Sequence, residues 1–388
     1  MSQFFKRAWA EVSLDNIAHN VREIRKITSK NAKIMAVTKA DAYGHGFLEV
    51  SKTLLGNGAD GLAVAFLDEA KQLRKHGIDV PILILGYTPE QWVKDLVELN
   101  ITQTVYSYSL ADAISQAAVA QNKKAKIHLK IDTGMTRVGF ACEDSAIKTI
   151  LSIAQLPGIE IEGIFTHFAS ADEKDPDYTH KQFQKFMSMC NELEKMGLYI
   201  PVKHACNSAG IVQFPEMHLD MVRPGIILYG LYPSDEVDKQ KIHLKPAMEL
   251  KATVTHLKEV EKGTPVSYGR VFTTKKRTAI ATIPIGYADG YSRVLTGSAK
   301  MIAGGKIVPV IGRICMDQCM IDVTEVKDIS VGDEVIVFGH KNGLTIPVED
   351  IAKTMNTINY EVLCIIGKRV PRVYIQNGKV VEILNYLV

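Results

Sequence analysis

The sequence lacks the features that mark membrane, secreted and disordered proteins. Its longest apolar runs, at 80–85 and 225–231, are far shorter than the ~18 residues that a membrane-spanning helix needs. Apolar residues make up 46% and charged residues 23% of the chain, which excludes a disordered or collagen-like protein. The N-terminal segment MSQFFKRAWAEVSL has neither the apolar core nor the small-residue cleavage site of a signal peptide. These absences predict a cytoplasmic protein that has no membrane partner.

Basic clusters and cysteine frameworks are missing as well. The 46 basic and 43 acidic residues give a net charge of +3 and are spread along the chain, whereas nucleic-acid binders concentrate basic residues in a patch or tail. Six cysteines in 388 residues are too few for a disulfide framework. Cys315 and Cys319 are not accompanied by the second Cys/His pair that a zinc site requires. We therefore predict neither a nucleic-acid partner nor a bound metal.

The first 230 residues contain short apolar, β-branched runs that alternate with longer stretches of helical periodicity, as βα units do. The predicted strands lie near 33–39, 61–66, 80–86, 101–106, 126–132, 161–168, 202–206 and 225–229. Eight strands with intervening helices predict a closed (β/α)₈ TIM barrel over residues 11–240. An open doubly wound sheet is the alternative, although no G-x-G-x-x-G motif follows the first strand.

Residues 241–388 have a different pattern, in which strands are separated by turn residues at short intervals. Asn377-Gly378 separates two apolar, β-rich runs and predicts a two-residue hairpin, and Gly304-Gly305 predicts another. The pattern indicates a smaller, mostly-β C-terminal domain. A strand within residues 1–10 is a candidate to pair with that domain.

Lys39 closes the first predicted barrel strand, and the active sites of TIM barrels lie at the C-terminal ends of the strands. A buried lysine is costly unless it is paired or used covalently. Burial also lowers the pKa of an amine, as a Schiff-base lysine requires. The alternative is a lysine at a strand–loop boundary whose amine lies in water.

Polar and small residues lie at the end of the sixth predicted strand, at and after the seventh, and at the beginning of the eighth, and we expect them to converge on the same face of the barrel. In chain order they are His167, His204, Asn207, Ser208, Arg223, Gly225 and Ile226. The Ser208 hydroxyl and the backbone N–H groups near Gly225 are donors suited to a phosphate. A phosphate site beside a reactive lysine predicts pyridoxal 5′-phosphate as the cofactor.

Eight motifs from both predicted domains make the sequence similar to the fold-type III alanine racemases of bacteria. In chain order they are AVTKADAYGHG, HFASAD, HACNSAG, VRPGIILYG, VSYGR, IGYADG, GRICMDQCMID and TINYEV. The resemblance runs from Trp9 to about Asn385 and departs from the family pattern at Thr38 and Asp41. It implies a pyridoxal-phosphate-dependent racemase of L-alanine and D-alanine that supplies D-alanine for peptidoglycan. It also implies a homodimer with shared active sites.

The resemblance implies four catalytic residues. Lys39 holds the cofactor and acts as one base, and Tyr268 of the β-domain acts as the other. A free tyrosine has a pKa near 10 and is a poor base at neutral pH. The resemblance implies that His167 contacts Tyr268 and makes it a better base, and that Arg223 orients His167. Arg223 also faces the pyridine nitrogen of the cofactor. Since arginine keeps its proton, that nitrogen stays unprotonated, which favours return of the proton to Cα over transamination.

The resemblance also implies binding residues. For the cofactor these are Lys39, Tyr43, His204, Asn207, Ser208, Arg223, Gly225, Ile226 and Tyr360. For the substrate they are Arg137, Tyr287, Met316 and Asp317, with the backbone N–H of Met316 directed at the carboxylate. Lys130 matches a lysine that some relatives carbamylate, which would give Arg137 a negative partner.

Other functions are compatible with parts of this pattern. A racemase of serine or of broader specificity would share the architecture. An amino-acid decarboxylase would need an acidic partner for the ring nitrogen and a Gly-rich phosphate loop. A non-catalytic pyridoxal-phosphate carrier would lack the β-domain that bears VSYGR. A hydrolase without a cofactor would need paired carboxylates or a metal-ligand cluster.

Overall fold

The structure, a computed structural model, describes residues 6–388 and divides into two compact units. The barrel unit comprises residues 16–42 and 47–245. The β unit comprises residues 6–15, 43–46 and 246–388. Residues 1–5 of the N-terminal segment in which we predict a strand lie outside the described residues.

The barrel unit contains eight parallel strands, numbered here by their place in the whole chain. They are β2 (Lys33–Val37), β3 (Gly61–Val64), β4 (Ile82–Ile84), β5 (Thr102–Val105), β6 (Ala125–Asp132), β8 (Ile159–Phe165), β9 (Val202–His204) and β10 (Met221–Val222). They pair in the order β10-β2-β3-β4-β5-β6-β8-β9, and β7 (Phe140–Ala141) pairs with β6. The Asp220 N–H donates to the Lys203 carbonyl over 3.1 Å and brings the two end strands together. The predicted TIM-like barrel is confirmed.

In the part of the chain that the structure describes, one helix precedes these strands and seven others connect them. They are α1 (Leu14–Ile27), α2 (Phe47–Leu55), α3 (Leu67–Lys75), α4 (Val93–Glu98), α5 (Tyr108–Ala120), α6 (Asp144–Ala154), α7 (Asp177–Lys195) and α8 (Ser208–Gln213). In α6, for example, Ala146, Ile150 and Ile153 are buried, a spacing that places them on one face of the helix. Within residues 6–388 no helix combines the length and the hydropathy that a membrane crossing requires.

The eighth strand is shorter than predicted and lies earlier in the chain. β10 pairs with β2 through Met221 and Val222, whereas residues 226–229 form a buried 3₁₀ turn. The prediction of a strand at 225–229 was therefore wrong. Pro224 has no N–H to donate to a ladder, and the chain turns there. The apolar run at 225–229 indicated that these residues are buried, but buried residues are apolar in strands, helices and turns alike, so the run did not identify the backbone conformation.

A left-handed turn follows Lys39 at the end of β2. Residues 40–43 all have φ between 52° and 55° although none is glycine. Each such residue costs ~1–2 kcal/mol relative to a right-handed conformation. Within the barrel unit, the Ala40 N–H donates to Glu69 over 2.7 Å and the Phe47 N–H to Asp41 over 2.9 Å. Side-chain carboxylates therefore stabilise a backbone that propensity disfavours.

The β unit is built on one large sheet. Its strands are β1 (Ala8–Ser13), β11 (Met248–Thr253), β12 (His256–Val260), β15 (Thr278–Ile283), β16 (Lys300–Ala303), β17 (Lys306–Ile311), β18 (Cys319–Asp322), β19 (Glu334–Lys341), β20 (Leu344–Ile346), β21 (Arg372–Gln376) and β22 (Lys379–Leu384). A separate pair consists of β13 (Pro265–Val266) and β14 (Phe272–Thr273), and the unit's two helices are α9 (Val348–Thr354) and α10 (Asn359–Cys364). β1 lies between β11 and β21. Both predicted hairpins are present, β16–β17 and β21–β22. The predicted mostly-β domain is confirmed.

Gly44 allows the end of the left-handed turn to pack tightly within the β unit. Its φ is +79°, and a Cβ atom there would lie 2.4 Å from the Leu363 carbonyl oxygen. Its own carbonyl accepts a hydrogen bond from the buried Arg372 over 2.8 Å. Gly77 has nearly the same φ, +76°, but no atom would meet its Cβ within 4 Å. The two glycines therefore share the conformational demand and differ only in the space available.

We expect Gly44→Ala to destabilise the protein clearly more than Gly77→Ala. Both substitutions cost ~1–2 kcal/mol because alanine disfavours a positive φ, and Gly44→Ala also forces a clash with the Leu363 carbonyl. Urea unfolding of the two variants, followed by circular dichroism, measures the difference. Equal shifts of the unfolding midpoint would show that the approach to Leu363 does not limit residue 44.

Candidate active site

The interior of the barrel unit contains a cluster of polar side chains, although TIM-barrel cores are usually filled by branched apolar side chains. The polar side chains that are almost fully buried near the C-terminal halves of its strands include His128, Lys130, Thr166, His204 and Arg223. Burying a polar group without a partner costs roughly 1–3 kcal/mol. Such a cluster is unexpected in a purely structural core.

Arg223 follows β10 and is 3% exposed. Its Nη1 donates to Nδ1 of His204 over 2.6 Å, and its Nη2 donates to the carbonyls of Thr166 and Ala205 over 2.7 and 3.0 Å. Its guanidinium carbon lies 5.0 Å from the centre of the Phe165 ring. Among residues 6–388, no carboxylate lies within ion-pair distance of it and its Nε–H makes no hydrogen bond. Burial lowers the pKa of Arg223 to about 10, so it stays charged at neutral pH.

A second histidine and a carboxylate extend the contact between Arg223 and His204. His204 is stacked on Phe165, with ring centres 4.7 Å apart, and its Nε2 lies 2.9 Å from Nδ1 of His128. Nε2 of His128 lies 3.3 Å from Oε2 of Glu162. Our sequence reasoning missed His128 and Glu162. The available signal was the HLK spacing on β6, which puts His128 and Lys130 on the same side of a strand whose other residues are mostly apolar.

His167 follows β8 and is partly buried. Burial lowers the pKa of His167 well below its ordinary value, and nearby positive charges lower it further. In order of effect these charges are Arg223, Arg137, Lys130 and Lys39. The imidazole is therefore neutral at pH 7, and the residues that we predicted from four different strands act on one another electrostatically within the barrel unit.

Lys130 is buried on β6, and its amine donates to the Ile131 carbonyl over 2.7 Å. Burial and then the charge of Arg223 lower the pKa of Lys130 to about 8. Arg137 lowers it further, whereas Asp132 raises it. A substantial fraction of this amine is therefore neutral, and nucleophilic, near physiological pH.

Arg137 is exposed in the loop after β6. The carboxylate of Asp132 accepts hydrogen bonds from the N–H groups of Gly134 and Thr136, each over 3.0 Å. The hydroxyl of Tyr178 donates to the Gly134 carbonyl over 2.8 Å. These bonds fix the loop backbone while the guanidinium remains accessible to a ligand.

The predicted phosphate-binding residues lie where α8 begins. Oγ of Ser208 accepts a hydrogen bond from the Gly225 N–H over 2.9 Å. Oδ1 of Asn207 caps α8 by accepting from the Gly210 N–H over 3.0 Å. Ile226 is buried at the start of the 3₁₀ turn. Ser208 and Gly225 are thus in direct contact, and Asn207 has a clear structural role in shaping this segment.

In the β unit, Tyr268 is 71% exposed in the connection between β13 and β14. Ser267 precedes it with φ 66° and ψ −175°, a region that residues other than glycine rarely occupy. Oγ of Ser267 donates to the Arg313 carbonyl over 2.7 Å. The side chain before Tyr268 is therefore anchored, whereas the phenol itself projects into solvent.

Two loops of the β unit bring three of the predicted substrate-binding residues together. The Tyr287 N–H donates to the Cys315 carbonyl over 3.1 Å, and the Ala288 N–H donates to the Met316 carbonyl over 3.0 Å. Tyr287 and Met316 are 42% and 53% exposed. Asp317 forms an ion pair with Arg369 over 2.8 Å. Cys315 and Cys319 are free thiols.

Tyr43 and Tyr360, the other predicted cofactor ligands, also lie in the β unit. Their ring centres are 6.0 Å apart. Burial raises the pKa of Tyr43 far above its ordinary value, so its hydroxyl keeps its proton and can donate. The predicted site residues therefore form two groups, one around Arg223 in the barrel unit and one in the β unit, where Tyr268, Tyr287 and Met316 are exposed and Tyr43 is buried.

Comparisons with known proteins agree with this architecture. The family model for the alanine racemase N-terminal domain matches residues 12–233, and the model for the alanine racemase C-terminal domain matches residues 247–374. Alanine racemase of Clostridium tetani is 52% identical over 388 residues, which covers 100% of both chains. The solved structure of alanine racemase from Clostridium difficile 630 is 46% identical and superposes with a TM-score of 0.96 over 100% of both chains.

A more distant solved structure shows the same agreement. Alanine racemase from Bacillus anthracis with bound L-Ala-P is 39% identical, with a TM-score of 0.94 over 100% of this chain and 99% of that one. Both family models, the curated relative and the solved structures carry the name alanine racemase. The chain belongs to the alanine racemase family.

Proposed function

We propose that this racemase interconverts L-alanine and D-alanine with bound pyridoxal 5′-phosphate and two bases, Lys39 and Tyr268. The observation that carries the proposal is the environment of Arg223. It is buried and charged, it has no carboxylate partner among the described residues, and its Nε–H is not engaged there. An aromatic ring nitrogen that accepts a hydrogen bond without being protonated fits this donor.

The remaining donors fit the other groups of the cofactor. Lys39 has the amine that a cofactor aldehyde requires. Ser208 offers a hydroxyl beside Gly225, and the protonated hydroxyl of Tyr43 is a second donor for the phosphate. When bound, pyridoxal phosphate makes the Cα proton of alanine acidic enough for a side-chain base to remove.

Racemisation needs one base on each face of the substrate, because a single base would have to move around it. In this proposal Lys39 removes and returns the proton of D-alanine, and Tyr268 does so for L-alanine. His167 assists Tyr268. Because its pKa is held well below its ordinary value, it is a neutral hydrogen-bond acceptor for the phenol at pH 7.

Binding of the substrate carboxylate is proposed for Arg137 and the backbone N–H of Met316, with Asp317 and Tyr287 beside them. Arg137 is exposed on a fixed loop, and Met316 is held by its carbonyl hydrogen bond to Ala288. His204 and Asn207 would shape the cofactor site through Arg223 and α8, and Ile226 and Tyr360 would complete it.

We propose that the active protein is a homodimer in which the β unit of one subunit completes the site of its partner. Strongly exposed aromatic or apolar side chains lie shortly after three barrel strands, β3, β4 and β5, and among the predicted site residues of the β unit. In the barrel unit they are Phe66, Tyr87 and Tyr108, and in the β unit they are Tyr268, Tyr287 and Met316. Apolar groups left in water on two surfaces favour association. The proposed role is cytoplasmic supply of D-alanine for peptidoglycan.

Replacing Tyr268 with alanine should slow exchange of the Cα proton of L-alanine much more than that of D-alanine. The physical reason is that Lys39 remains as the base for D-alanine, and loss of a general base typically costs ~10²–10⁴-fold. Deuterium incorporation at Cα, followed for each enantiomer by mass spectrometry, measures the two rates.

Tyr199→Ala is a matched control, because Tyr199 is 70% exposed, close to the 71% of Tyr268, but is assigned no role. It should leave both exchange rates unchanged. An equal loss for both enantiomers in Tyr268→Ala would argue for a single base and remove Tyr268 from the catalytic residues.

Mixing inactive Lys39→Ala and Tyr268→Phe proteins should restore part of the activity if the site is shared between subunits. A hybrid dimer would contain one site with both bases and one with neither. Activity is measured after subunit exchange, which differently tagged chains verify. Confirmed exchange without any recovered activity would contradict the shared site.

Lys130 should carry a carbamate. Its neutral amine would attack CO₂ and form an N–C bond with release of one proton. Since its pKa is lowered to about 8, the amine is mostly protonated at pH 6 and mostly neutral above pH 8, so the carbamate should increase across that range. Its ¹³C NMR signal after equilibration with labelled bicarbonate should vanish in Lys130→Met.

Lys203→Met is the control, because hydrogen bonding and ion pairing with Glu194 outweigh burial and raise the pKa of Lys203. It should therefore retain the carbamate signal. A signal that survives in Lys130→Met would place the carbamate on another amine.

A further inference from the structure

The contacts of Arg223 continue as a chain of hydrogen bonds through the barrel unit. Arg223 contacts His204 over 2.6 Å, His204 contacts His128 over 2.9 Å, and His128 contacts Glu162 over 3.3 Å. Oε1 of Glu162 also accepts from Lys126 over 2.6 Å. The chain thus connects a fully buried cation to a carboxylate that is 25% exposed.

The two ends of the chain fix the direction of every hydrogen bond in it. Arginine can only donate and an ionised carboxylate can only accept. His204 must therefore accept at Nδ1 and donate from Nε2. His128 must likewise accept at Nδ1 and donate from Nε2 to Glu162. A single assignment satisfies all three bonds, and it requires both imidazoles to be neutral.

The ionisation of the groups agrees with that assignment. Burial lowers the pKa of His204 well below its ordinary value, and the charge of Arg223 lowers it further. Burial also lowers the pKa of His128, although Glu162 opposes this effect. The hydrogen bond from His128 lowers the pKa of Glu162 to about 2, so its carboxylate is charged at any pH at which the enzyme would work.

Packing accommodates both rings in this arrangement. His204 is stacked on Phe165 with an angle of 9° between the ring planes. A Cβ atom on Gly163 would lie 2.6 Å from Nδ1 of His128, so only glycine leaves space for that ring. Hydrogen bonds in such a row polarise one another. A carboxylate at one end therefore strengthens the acceptor that holds the guanidinium at the other end.

We propose that Glu162 is a positioning residue that acts through His128 and His204 to hold Arg223 and strengthen its acceptor. The role in catalysis rests on the function proposed for Arg223. The row of hydrogen bonds from Arg223 to Glu162 does not rest on that function, because it is formed by residues of this protein alone. One measurement therefore tests the hydrogen bonds, and a second tests their effect on catalysis.

The first measurement is ¹⁵N NMR of histidine-labelled holoenzyme at pH 7. We expect two neutral imidazoles protonated at Nε2, assigned by the loss of each signal in His128→Gln and His204→Gln. In Glu162→Leu the Nε2–H proton of His128 should shift upfield or exchange faster with water. An unchanged His128 signal in this variant would overturn the proposal, whether or not the enzyme is active.

The second measurement is the number of racemisations per transamination event. This ratio does not depend on how much enzyme is folded. If Glu162 holds Arg223, the ratio should fall, and kcat should decrease about tenfold equally in both directions, as loss of an outer-shell partner typically produces. KM for alanine should change little. A change confined to the melting temperature would show that Glu162 is only structural.

Two variants complete the test. Glu162→Gln keeps the shape and an acceptor oxygen but removes the charge, so it should fold and give effects between those of wild type and Glu162→Leu. Lys126→Met removes the other partner of Glu162 and should leave the NMR signals and the racemisation ratio unchanged. If Lys126→Met reproduces Glu162→Leu, the ion pair is responsible and the proposal is wrong. If Lys39→Ala still racemises alanine, the proposed function fails while the NMR result stands.

Discussion

The buried positive charge of Arg223 is the constraint on which the barrel interior depends. A guanidinium removed from water must be compensated, and no carboxylate within the described chain contacts it. Compensation comes instead from two carbonyls, a neutral imidazole and the face of Phe165. Because these partners carry no net charge, the positive field of Arg223 extends to its neighbours. The pKa values of Lys130, His167 and His204 are all lowered in part by it.

Lowered pKa values have chemical consequences for a racemase. A neutral His167 can accept a hydrogen bond, and a partly neutral Lys130 can react as an amine. A cofactor nitrogen beside Arg223 would have no proton to gain from it, because Arg223 remains charged at neutral pH. Burial, together with one cation that has no carboxylate partner among the described residues, therefore lowers the pKa values of several groups that the proposed mechanism uses.

The lysine proposed to hold the cofactor depends on a second constraint, the left-handed turn of residues 40–43. Its backbone cost is offset by carboxylates, since Glu69 accepts from the N–H groups of Ala40 and Ala65 and Asp41 accepts from that of Phe47. Strain of this kind tends to occur at functional sites. No periodicity in the sequence indicated the turn, because Ala-Asp-Ala-Tyr is compatible with several backbone conformations.

The sequence by itself determined the barrel, the β-domain and the two tight hairpins, because apolar periodicity and turn residues are local signals. Motif resemblance also identified the family and the candidate site residues. Only the tertiary structure decided the position of the eighth strand, because the buried residues 226–229 form a 3₁₀ turn although they are as apolar as a strand. Only the tertiary structure showed the row of hydrogen bonds from Arg223 to Glu162. Two residues in contact within this row, His128 and His204, lie 76 residues apart in the sequence. Their hydrogen bonds exist only because β6, β8, β9 and the end of β10 meet in one barrel.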